Sequence, residues 1–271
     1  WRCRDRTLNL SSRTLIMGIL NVTPDSFSDG GRFLDPAAAV AHALAMAEAG
    51  ADLLDIGGES TRPGAAAVPE DEEIARVRPV IAALRDRTAA LLSVDTSKAG
   101  VARAALEAGA HVVNDVTALA GDPAMPDVVR AYNAGAVLMH MRGTPRTMQQ
   151  DPRYGDVAAE VADCLARRVD ELVARGLARE TLAVDPGIGF GKTVAHNLEL
   201  LRRLDLLVAL GRPVVVGVSR KSFLGQLTGR AVGDRLAATL GAGAAAIWRG
   251  AHLLRVHDVK ESCDLARVVD M

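Results

Sequence analysis

The chain has 271 residues, 49% hydrophobic and 24% charged, with a formal net charge of −1. That balance is ordinary for a folded globular protein and excludes a disordered chain. Near-neutral charge argues against nucleic acid or an anionic membrane surface as the main partner, although it can conceal a local basic pocket.

Along the chain, short β-rich apolar runs alternate with longer Ala-rich helical ones. After a leading segment at 1–13 that runs into the first strand, the spacing predicts a strand at 14–21, a helix at 36–49 and a strand at 53–57. A helix at 70–85, a strand at 91–95, a helix at 97–108 and strands at 112–115 and 136–139 follow. A helix at 155–175, strands at 182–185 and 214–217, a helix at 234–249 and a strand at 253–256 complete the series. Pro36 suits a first helical turn, and Gly50, Gly109 and Gly176 stand where helix C-caps usually sit. The longest uncharged stretch, 236–248, has thirteen residues. A membrane span needs about 20 strongly apolar ones, so this reads as a buried helix. No signal peptide is recognisable at Trp1. Cys3, Cys164 and Cys263 form no CxxC pair, so free thiols in a reducing cytoplasm are expected.

Strands alternating with helices imply βαβ units and a parallel sheet buried on both faces. Eight such repeats fit an α/β chain folded as a single (β/α)8 TIM barrel. A doubly wound open sheet is the competitor, disfavoured because no linker divides the chain. Polar residues stand where each apolar run stops: Asn21, Asp55, Asp95, Asn114 with Asp115, His140, Asp185, Ser219 with Lys221, and Arg255 with His257. Turn chemistry alone would account for one or two of these. In a barrel they all converge on one mouth, where barrel enzymes place their sites.

The motif DPGIGFGKT, 185–193, fails both phosphate-loop patterns, since Pro186 and Lys192 stand where glycines are required. SRKS, 219–222, follows a strand and opens a helix-like segment, with Ser222 a candidate cap and Lys221 a cation. RVH, 255–257, puts Arg255 and His257 on one strand face, a pairing suited to phosphate oxygens. Asp55, Asp95 and Asp185 lack the Cys or paired His that zinc prefers. A single oxygen ligand such as Asn21 suits Mg²⁺ shared with a diphosphate. The remaining acids and amides suit a ring with adjacent N–H donors, such as a pterin or guanine. The polar loops 21–31 and 57–65 are expected to close over the mouth. His140, in HMRGTP, is given no catalytic role.

Taken in order, GILNVTPDSFSDGG, DIGGESTRPG, SVDTSK, NDV, HMRGTP, DPGIGFGK, SRKSFLG and RVHDV resemble the dihydropteroate synthase family from about residue 14 to 259. The resemblance implies a pterin-binding barrel domain over 14–271. It also implies condensation of 6-hydroxymethyl-7,8-dihydropterin diphosphate with 4-aminobenzoate, by a largely dissociative substitution. By motif, the pterin would meet Asp55, Asp95, Asn114, Asp185 and Lys221. The diphosphate would meet Asn21, Thr61, Arg255 and His257, with Mg²⁺ on Asn21. Phe27, Thr61, Arg62, Pro63, Phe190 and Ser222 would surround the aminobenzoate. Asp29, Arg62 and Lys221 would be the catalytic side chains. A cytoplasmic homodimer and a sulfonamide target are implied as well. A pterin-dependent methyltransferase serving a corrinoid protein, or a silent pterin-binding paralogue, would share the barrel. Neither has a use for the STRPG, SRKS and RVH set.

Overall fold

The computed structural model describes residues 1–23, 36–60, 67–144 and 147–271. Eight parallel strands form one sheet: β3 Leu15–Asn21, β4 Leu53–Gly57, β5 Leu91–Asp95, β6 Val112–Asp115, β7 Gly135–Met139, β8 Leu182–Asp185, β9 Val215–Val216 and β10 Leu253–Val256. Their order is β8-β7-β6-β5-β4-β3-β10-β9. A bridge between Val184 and Val214 joins the two ends and closes the barrel. The open-sheet alternative is thereby excluded.

Strand side chains alternate between faces, and that alternation sorts the molecule into two cores. Ile16, Leu20, Leu54, Ile56, Leu92, Val94, Val113 and Leu138 face outward and pack under the helices in the larger cluster. Leu15, Met17, Leu53, Leu91, Val112, Val137, Ala183, Val215 and Leu253 face inward and fill the barrel floor. Counting in twos from the floor residues, the same inner face carries Asn21, Asp55, Ser93, Asp95, Asn114, Asp185 and Arg255 toward the C-terminal mouth. Apolar residues below and polar residues above thus follow from one period-two pattern.

The outer ring holds α1 Pro36–Glu48, α2 Glu70–Leu84, α3 Ala99–Ala108, α4 Met125–Ala131, α5 Val157–Ala174, α6 Val194–Arg202, α7 Asp205–Val208, α8 Ser222–Thr228, α9 Leu236–Trp248 and α10 Val259–Val269. Asp156 caps α5, accepting from the backbone of Ala158 and Ala159 at 3.1 and 3.0 Å. Gly50, Gly109 and Gly176 have positive φ just past α1, α3 and α5, where C-caps were expected. Helices α4, α6, α7 and α10 were not foreseen. Three of them have only 7, 9 and 4 residues, too few for a clear period. No described helix is long and apolar enough to cross a membrane.

Two further departures concern the ends of the chain's motifs. The first thirteen residues do more than lead into the barrel. A short hairpin, β1 Arg2–Cys3 paired with β2 Arg6–Thr7, seats Cys3 in the floor cluster with Trp1, Leu8 and Leu10 packed against it. The strand expected at 214–217 shrinks to two residues, because the chain leaves the ladder at Gly217. A Cβ there would stand 3.7 Å from Lys221 Nζ and 3.8 Å from Arg255 Cβ.

Candidate active site

The mouth is organised around a buried charge cluster. Arg255 donates from Nε to Asp55 Oδ2 and from Nη2 to Asp95 Oδ2, each at 2.6 Å. Asp55 is fully buried. It also accepts from Ser93 Oγ at 2.6 Å and from Asn114 Nδ2 at 2.9 Å. Burial alone would penalise these carboxylates heavily, and one shared guanidinium with two neutral donors offsets that cost. The sequence assigned the acids to a ligand and Arg255 to an anion; the folded chain also satisfies them with each other. Ser93 was missed, although it lies two residues before Asp95 on the same strand face.

The electrostatics follow from burial. Burial pushes the Asp95 carboxyl up to about 7, against the opposing pull of Arg255. Burial works against the charged form of Arg255 as well, but Asp55 and Asp95 outweigh it and raise the guanidinium above its ordinary range. Arg255 is therefore a fixed cation.

Across the mouth, Asp185 Oδ1 accepts from the Gly187 backbone at 2.6 Å. Burial raises its pKa, opposed chiefly by Lys221. Burial in turn pulls the Lys221 ammonium down to about 8, opposed by Asp185. Lys221 Nζ donates to the Ile188 carbonyl and lies 4.9 Å from the centre of the Phe190 ring. Lys221, not Ser222, occupies the N-cap position of α8, and it makes no side-chain cap bond. The expectation that Ser222 caps this helix is corrected: Ser222 is its first residue and is exposed.

Ser219 Oγ meets the His257 backbone N–H at 3.1 Å and His257 Nδ1 at 2.9 Å, so the end of the β9 segment orients His257. A groove of about 560 Å³ runs outward from there between α1 and α10, lined by Asn21, His42, Arg220, His257 and Lys260 among others. Among the described residues, no cluster of three His, Cys, Asp or Glu side chains suits a metal ion. A single amide oxygen on Asn21, at the inner end of β3, is the one donor the sequence nominated. It fits an ion that takes most of its ligands from a diphosphate and water.

Asn21, Asp55, Asp95, Asn114, Asp185, Phe190, Lys221, Ser222, Arg255 and His257 thus gather at one end of the barrel. Phe27, Asp29, Thr61, Arg62 and Pro63, and most of the two expected closing loops, lie outside the described residues.

A family model described as "Pterin binding enzyme" matches residues 17–257. The Escherichia coli (strain K12) dihydropteroate synthase is 46% identical over 255 residues, covering 94% of this chain and 90% of its own. The Yersinia pestis dihydropteroate synthase, solved with a sulfonamide drug complex, superposes with a TM-score of 0.93 at 44% identity, covering 100% of this chain and 97% of that one. The Xanthomonas albilineans dihydropteroate synthase has been solved with 4-aminobenzoic acid (TM-score 0.92, 51% identity) and with 7,8-dihydropteroate (TM-score 0.89, 48% identity). Each covers 98% of this chain and 95% of its own.

Proposed function

This chain belongs to the pterin binding enzyme family as a dihydropteroate synthase, and from that premise we propose which of its residues carry the reaction. The enzyme joins 6-hydroxymethyl-7,8-dihydropterin diphosphate to 4-aminobenzoate, giving 7,8-dihydropteroate and diphosphate.

The pterin lies flat in the barrel lumen. Asn114 has given its amide N–H to Asp55, so its oxygen is left to accept from the ring. Asp185 offers the oxygen that Gly187 does not take, Asp95 offers the one that Arg255 does not take, and Lys221 supplies the donor. Asp55 sits beneath the ring as a fully buried support that fixes both Asn114 and Arg255.

Arg255, His257, Asn21 and Thr61 hold the diphosphate. Asn21 would hold Mg²⁺, which would supply additional charge neutralisation to that group. Arg255 and His257 stabilise the negative charge that grows on the departing oxygen. The carbon–oxygen bond breaks ahead of attack, leaving a methylene cation delocalised into the pterin, and the carboxylates of Asp95 and Asp185 stabilise it. Phe190 and Ser222, with Phe27, Thr61, Arg62 and Pro63 assigned by motif, hold the aminobenzoate so that its neutral amine attacks that carbon and then loses one N–H proton to the departed diphosphate or to solvent. Asp29, Arg62 and Lys221 are the side chains assigned to catalysis, the first two by motif alone. Water kept from the cation preserves the product.

The observation that carries this reading is that Asp185 with Lys221 and Arg255 with Asp95 meet at a single barrel mouth. Incubating the purified chain with both substrates and Mg²⁺ should release diphosphate and form dihydropteroate in equal amounts. Pterin binding without diphosphate release would sink it. Sulfonamides are expected to compete with aminobenzoate, as the sulfonamide complex of the Yersinia pestis protein suggests. The working unit is a homodimer in the cytoplasm. Support for the dimer comes from Trp248, 75% exposed at the end of small-residue helix α9, and for the compartment from three free cysteines.

A further inference from the structure

A polar cluster with no assigned part in the reaction lies between the ends of β7 and β8. Lys192 is 3% exposed. Its Nζ lies 2.9 Å from the Phe190 carbonyl oxygen, 3.3 Å from the His140 carbonyl oxygen and 3.1 Å from His140 Nδ1. Burial pulls the Lys192 pKa down to about 7, opposed by Asp185. Below that pH the side chain is an ammonium with three donors and no acceptor, and a neutral imidazole offers one lone pair. Donors and acceptors therefore match one to one. Burial, reinforced by the charges of Lys192 and Arg142, depresses the His140 pKa to about 3, which keeps that lone pair free.

The bonds converge on the turn 187–191. Two more side chains from the segment after β7 reach the same turn: Gln149 Nε2 donates to Gly189 O at 2.6 Å, and the Tyr154 hydroxyl donates to Gly191 O at 2.9 Å. This turn carries Phe190, and the Phe190 ring faces Lys221.

We infer that Lys192 is a positioning residue for the aminobenzoate step: through Phe190 O and both acceptors of His140 it fixes the turn that presents the Phe190 ring beside Lys221. The functional part of this statement rests on the reading of Phe190 as an aminobenzoate contact. The HMRGTP and GFGK motifs, separated by about fifty residues of chain, thereby act as one unit. His140 serves as acceptor and takes no part in proton transfer.

Lys192→Met keeps the length of the side chain and removes all three donors. His140→Leu removes the Nδ1 acceptor, whereas His140→Asn keeps an oxygen near the same place. Hydrogen exchange across 187–191 and the two KM values should be measured for each variant. In Lys192→Met and His140→Leu, exchange should accelerate and the KM for aminobenzoate should rise about tenfold. The KM for the pterin diphosphate should stay within about twofold. His140→Asn should remain close to the parent in both readouts. Unchanged exchange in Lys192→Met overturns the inference, as does an equal rise in both KM values accompanied by a general loss of thermal stability. If Lys192→Met does not fold, the contrast between His140→Leu and His140→Asn decides. Phe190→Ala separates the two readings. An unchanged aminobenzoate KM there removes the assignment of Phe190, while the exchange rates still decide the position of Lys192.

Discussion

Removing the Arg255 guanidinium leaves Asp55 and Asp95 facing each other without a cation, at side-chain exposures of 0% and 10%. An uncompensated buried charge costs about 3–5 kcal/mol, so Arg255→Ala should lower stability by that order in denaturant titration. It should also raise the KM for the pterin diphosphate far more than that for aminobenzoate. Lys221 gives a pH prediction. Burial has brought its pKa down to about 8, so raising the pH through that value removes the ammonium from the pterin site. The kcat/KM for the pterin substrate, which reports the free enzyme, should fall on that alkaline side. Lys221→Arg stays charged and should move the limb to higher pH even if its rate is low; a limb that does not move contradicts the role. At this scale the sequence was informative about identity and silent about pairing. Asp95 and Arg255 stood out as polar strand ends, but nothing in the chain order reveals that residues 160 positions apart share a hydrogen bond. Lys192 was likewise visible only as the residue that spoils a glycine motif.

Two glycines isolate what the β8 turn demands. Gly187 and Gly211 have nearly the same φ, +67° and +65°, but a Cβ on Gly187 would stand 1.9 Å from His140 O, while one on Gly211 would meet nothing within 4 Å. Gly211→Ala should therefore cost about 1 kcal/mol, the left-handed penalty alone. Gly187→Ala should cost several kcal/mol and damage activity, because the turn must leave the strand end it lies against. Equal losses in chemical denaturation would show that close approach contributes nothing. Elements were legible where one physical signal dominated. Strands β4, β5, β6, β8 and β10 begin and end where expected, because an apolar run bounded by turn residues has no competing reading at that length. Strand β9 was overextended because Val214 and Gly217 look like strand, but Val214 makes only an isolated bridge to Val184 and Gly217 serves the mouth instead. The short helices and the floor hairpin carry too few residues for a period, and tertiary packing, not propensity, holds them.

Across the whole molecule, the barrel was readable from repetition, whereas the proposed dimer rests on the family resemblance and the small-residue helix α9. Trp248 is 75% exposed, and Leu227 and Val232 are more than half exposed nearby in sequence. If the proposed dimer forms through this face, replacing Trp248 with Asp should shift sedimentation from dimer to monomer while leaving the circular dichroism of the fold intact; an unchanged sedimentation coefficient contradicts that proposal. The ring itself is not equally tight all round. Where β3 meets β4, five residue pairs align. Where β8 meets β9, the circle is completed by the lone Val184–Val214 bridge and a 2.8 Å bond from Val184 N to Pro213 O. Local opening favours the place with fewest backbone bonds, and the chain on either side of that gap leads to Asp185 and to Lys221. Breathing of the barrel at that seam would thus part Asp185 from Lys221, the two jaws proposed to grip the heterocycle, while Arg255 on β10 stays laddered to β3.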